Sequence, residues 1–92
     1  MRVGNVRLLP AGPRDRARGL LGWLRFDLDG RLRVQGVALR KTRRGDLRLA
    51  YPARDDRWAR RHFFLRPLDD RTRRAVERQV LASITRRQGA AR

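Results

Sequence analysis

The chain predicts an α+β domain: an antiparallel β-sheet of about five strands followed by a C-terminal α-helix. Two patterns carry this. Up to Leu65, apolar and polar residues alternate in runs separated by tight-turn residues. Near the C-terminus, Val76, Val80 and Ile84 recur at every fourth position, with Leu81 widening the stripe. Strands first and a helix last favour an α+β arrangement over a parallel α/β one. The 92 residues make one domain, placed at 1–88 with a flexible tail at 89–92.

Residues 3–9 read as the first strand, Val3 and Val6 leaving its register open. Pro10-Ala11-Gly12-Pro13 ends it, and residues 14–19 continue as a mobile basic loop. From residue 20 to 28 the period is two, with Leu24 and Phe26 on one face and Leu21 and Trp23 on the other. Asp29-Gly30 supplies the positive-φ pair of a type I′ hairpin. In the strand at 32–40 the apolar parity changes at Gly36, which suggests a bulge or twist. Residues 41–46 form a turn, and Leu47, Leu49 and Tyr51 alternate into a fourth strand closed by Pro52. Residues 53–61 read as a charged loop and Phe63-Phe64-Leu65 as a last short strand stopped by Pro67. Asp69 and Asp70 place acid where a helix begins, and Gly89 marks its end. One helix covers one face of such a sheet. Leu21, Trp23, Val37 and Leu39 are placed on the second face, where burial against a second copy predicts a homodimer.

Twenty-four arginines stand against one lysine and nine acids, for a net charge of +16. GC-rich codon usage explains Arg over Lys but does not remove acids, so the excess points to a polyanionic partner. A hydrophobic content of 40% is too high for a disordered basic tail. No Cys, no signal peptide and no membrane-length apolar run are present, so a cytoplasmic protein without a membrane span is expected.

Four basic clusters emerge. The turn packs Arg40, Lys41, Arg43 and Arg44 into five residues. The charged loop carries Arg54, Arg57, Arg60 and Arg61 around Trp58. Arg71, Arg74 and Arg78 lie on the helix opposite the apolar stripe, and Arg86, Arg87 and Arg92 follow towards the tail. Any one cluster reads equally well as a solvated face; together, with so few acids, they favour phosphate. Trp58 reads as a loop anchor before a base-stacking platform, and Trp23 as a core or interface residue. His62, the one histidine, has no His partner for a metal, and a structural or phosphate-facing role is favoured. Gly19-Leu20-Leu21-Gly22, Arg44-Gly45-Asp46 and Asp27-Leu28-Asp29-Gly30 imitate known motifs without their context. Asp69-Asp70 suits helix capping, and Asp55-Asp56 suits pairing with loop arginines. Ser83 and the threonines have no base beside them, so neither catalysis nor a cofactor nor a metal is expected.

A further set of residues carries a family resemblance. Val3-Gly4-Asn5-Val6-Arg7-Leu8 opens it, and residues 29–37, Asp-Gly-Arg-Leu-Arg-Val-Gln-Gly-Val, continue it. Leu49-Ala50-Tyr51-Pro52-Ala53-Arg54 and the helix entry Arg66-Pro67-Leu68-Asp69 follow, with Thr72-Arg73 and Val80-Leu81 on the helix. In that order and spacing, residues 3–84 resemble the stage V sporulation protein G (SpoVG) family. Arg66 stands where the family commonly has His, and His62 where it commonly has Arg. The resemblance implies a small sheet with a C-terminal helix, dimerisation, and nucleic-acid binding by a bacterial regulator linked to septation and development. The expected activity is DNA binding. RNA binding by the same surface, or a protein–protein adaptor meeting an acidic partner, are the alternatives.

Overall fold

The structure, a computed structural model, describes residues 1–90 and the side chains of residues 1–86. The α+β expectation holds. Strands β1 (Val3–Pro10), β2 (Leu20–Leu28), β3 (Leu32–Lys41) and β4 (Leu47–Ala50) form an antiparallel sheet in that order. A five-residue helix α1 (Pro13–Ala17) joins β1 to β2. Strands β5 (Ala53–Asp55) and β6 (Arg61–Phe63) pair as a separate ribbon, and α2 (Asp70–Ala90) closes the fold.

Two residues with positive φ set the register of the sheet. Asn5 (φ 49) sits where the β1–β2 pairing shifts by one residue. The extra residue lets both Val3 and Val6 pack into the core, which resolves the register that alternation alone leaves open. Gly36 (φ 77) does the same in β3: Val34 stands opposite Phe26, and Val37 opposite Leu24. Val34, Val37 and Leu39 therefore share the face beneath α2.

This corrects the expected dimer face. Val37 is 0% and Leu39 3% exposed, both inside the core, because the Gly36 bulge reverses their parity. Leu21 lies at a second pairing shift and is half-buried against the same core. Of the four residues, Trp23 alone remains on the outer face, 46% exposed.

Helix α2 packs against β1 and β4, the two edge strands, so the sheet curls around it. Its Val76 and Val80 join Val6, Leu24, Phe26, Val34, Val37, Leu39 and Leu49 in one cluster. Burying a side chain such as Phe26 contributes roughly 2–3 kcal/mol. Asp69 caps the helix as expected, its Oδ1 accepting the Thr72 amide at 2.7 Å. Gln79 ties the helix to the first strand, accepting the Val3 amide at 2.9 Å and donating to the Met1 carbonyl at 2.9 Å.

Other boundaries differ from expectation. Residues 13–17 are helical rather than loop, because Pro13 is pre-set for a first helical turn. The last strand is Arg61–Phe63, earlier than Phe63-Phe64-Leu65, and it pairs with β5 instead of the main sheet. Helix α2 continues through Gly89. Of the expected tail, residues 91–92 lie outside the described residues, as do the side chains of Arg87 and Arg92. No described helix is long and apolar enough to cross a membrane.

Candidate nucleic-acid interface

The β3–β4 turn is closed by its own backbone. The Thr42 amide donates to the Asp46 carbonyl at 2.8 Å, and the Gly45 amide to the Thr42 carbonyl at 2.9 Å. The Thr42 hydroxyl accepts the Asp46 amide, and Gly45 takes φ 90, a conformation that suits glycine. Lys41, Arg43 and Arg44 stand exposed on this tip, with Arg40 just behind. The Lys41 amide donates to the Gly19 carbonyl at 2.8 Å, which brings the end of α1 beside the tip. Arg14, Arg16 and Arg18 of that segment thus extend the basic end of the sheet. Sequence reasoning placed them in a loop and passed them over; Pro13 followed by Gly19 was the available signal for an ordered turn.

The charged loop is the β5–β6 ribbon, and Asp56 organises its tip. One carboxylate oxygen accepts the amides of Trp58 (2.8 Å) and Arg60 (3.0 Å). The other meets His62 Nε2 at 2.8 Å and the Arg60 guanidinium at 3.3 Å. The His62 contact, followed by the backbone donors, lowers the Asp56 pKa below its ordinary value. His62 thus bonds within the ribbon, and Asp55 pairs with Arg61 at 3.4 Å as the sequence suggested. Trp58 does not anchor the loop. It is 62% exposed, with the guanidinium carbons of Arg57 and Arg60 at 4.4 and 5.1 Å from its ring centroid.

Along α2, Arg71, Arg74 and Arg78 all face solvent. Arg74 touches Asp70 at 3.5 Å, while Arg71 and Arg78 make no ion pair among the described residues. Arg73 turns inward instead, bonding Asp70 (3.2 Å) and Glu77 (3.0 Å). Glu77 is 6% exposed, and Arg48 of β4 also reaches it, at 3.7 Å.

Seven of the nine acids share a common fate. Asp27, Asp29, Asp55, Asp56, Asp69, Asp70 and Glu77 all bond within the fold. Asp27 is the extreme case: hydrogen bonds from Arg33 and then Asn5 pull its pKa down to about 2. By contrast, Arg40, Lys41, Arg43, Arg44, Arg54, Arg57, Arg71 and Arg78 have no acidic partner among the described residues.

The predicted cations fall on separate elements. The 41–46 tip precedes β4 and the ribbon follows it, so a strand of four residues, roughly 13 Å, separates them. A further basic surface went unpredicted. On the sheet face away from α2, Arg7 stands directly opposite Arg25, and Leu9 opposite Trp23. Its signal in the sequence depends on the bulges at Asn5 and Gly36, which decide who faces whom. On the other side of the sheet, Phe26, Leu28, Tyr51, Leu65 and Leu68 line an apolar cavity of about 290 Å³. Burial raises the Tyr51 pKa, and its hydroxyl has no hydrogen-bond partner among the described residues.

No family model, curated protein or solved structure matches this chain. The chemistry of its surface carries the functional reading.

Proposed function

We propose that this protein is a nucleic-acid-binding regulator, with DNA its favoured ligand, that grips phosphates through the turn, ribbon and helix arginines. One observation carries the reading. The fold engages most of its acids internally and leaves most of the predicted cations exposed and unpaired. Guanidinium binds phosphate through paired N–H donors, so these groups suit a polyphosphate backbone. The resemblance to SpoVG regulators of septation and development supports the same reading. Phosphate contacts set affinity, and sequence preference falls to side chains that reach base edges. The dimer expectation moves to the exposed apolar run Phe63, Phe64, Leu65 and Leu68, which a second copy would cover.

A salt titration against duplex DNA, single-stranded DNA and RNA tests this. Six to ten phosphate contacts give a log–log slope of roughly −5 to −9 on duplex. Replacing Arg71 and Arg74 together by Ala should weaken binding and flatten the slope without unfolding the protein. Absence of binding to any polymer at low salt would refute the proposal, and a preference for RNA would reassign its ligand.

A further inference from the structure

The outer face of the sheet has a row pattern that the turn, ribbon and helix leave unused. Leu9, Trp23, Ala38 and Ala50 stand opposite one another across all four strands. The next row sets Arg7 opposite Arg25, with Gln35 beyond. Arg40 flanks the apolar row on its other side. Like charges directly opposite destabilise a sheet. Neither Arg7 nor Arg25 makes an ion pair or side-chain hydrogen bond among the described residues. A phosphate between them reverses the sign of that interaction. Arg7, Leu9, Trp23, Arg25 and Gln35 line a groove of about 560 Å³ along this boundary.

We infer that this face is a binding site for single-stranded DNA, with a base stacked on Trp23 and its phosphates along Arg7 and Arg25. The inference rests on the nucleic-acid reading above but uses different residues. An acidic protein would pair with the arginines but does not set a flat π-face beside each anionic group, as a nucleic acid does. A duplex keeps its base faces hidden, whereas an unpaired strand offers both a π-face and a phosphate at every nucleotide. Gln35 is the one side chain of these rows that can accept a hydrogen bond, so the 2′-hydroxyl of RNA finds few acceptors there.

The test uses the full chain with Trp58→Phe, which leaves Trp23 the sole tryptophan. Oligothymidylate should quench its fluorescence saturably, while an abasic oligomer of equal length should not. In the otherwise native chain, Trp23→Ala should weaken oligothymidylate binding about tenfold and leave duplex affinity within about twofold. Binding of oligothymidylate without a change in Trp23 emission overturns the inference, as does equal quenching by the abasic strand. Tighter binding of oligouridylate overturns the choice of DNA. A dimer that buries Trp23 without nucleic acid overturns the site altogether. Loss of all nucleic-acid binding in the native chain would instead remove the proposed function, a distinguishable result.

Discussion

Two glycines of the sheet test different physics. A Cβ on Gly22 would sit 2.5 Å from the Leu9 carbonyl oxygen and 2.9 Å from Leu8 Cδ1. Gly22→Ala therefore forces β1 away from β2, and urea unfolding should show a loss of about 1–3 kcal/mol or more. Gly36 has open space but φ 77, so Gly36→Ala meets strain without a clash and should cost about 1 kcal/mol. Equal losses at the two sites would contradict this contrast. Asp27 gives a pH test. Its folded pKa of about 2 lies below the ordinary 3.8, chiefly through the Arg33 hydrogen bond. The stabilisation is complete above the unfolded value and disappears as pH falls from about 4 towards 2. Urea midpoints between pH 5 and 2 should fall more steeply in the native chain than in Asp27→Asn.

At the scale of elements, the ribbon separates charge from shape. Asp56→Ala removes the acceptor of the Trp58 and Arg60 amides while raising the net charge by one. If ribbon geometry matters, duplex binding weakens and amide protection disappears from the ribbon while the four-stranded sheet keeps its own. Tighter binding would mean that charge alone governs the contact. The same ribbon shows where sequence patterning stops being informative. Strands β2 and β3 and helix α2 declare themselves, because burial on one face forces period two or an every-fourth-residue stripe. Strands β5 and β6 contain no buried residue; their own ladder and the Asp56 contacts at the tip hold them, and alternation has nothing to report. The Gly36 parity change was readable as a bulge, yet its effect on Val37 and Leu39 required knowing which residues pair with Leu24 and Gly22. The arginine clusters were legible as composition. Which arginines lack an acid, and that Arg7 opposes Arg25, were not, since cross-strand neighbours follow from register.

For the whole molecule, the surplus of +16 opposes compaction while a few exposed ion pairs favour it. Exposed pairs contribute about 0–1 kcal/mol each, so repulsion dominates and added salt should stabilise. Thermal melts at constant pH should rise as NaCl increases from about 20 to 300 mM, where the Debye length shrinks below about 10 Å. A falling midpoint would mean the ion pairs outweigh the repulsion. The Gln79 side chain adds a consequence in time. It grips Met1 and Val3, partners 76 residues or more back along the chain. At translation rates of about 5–20 residues per second, roughly 4–15 s pass between synthesis of Val3 and of its partner. Throughout that interval the first strand lacks the helix that covers it, so the core cannot close until synthesis has passed Gln79.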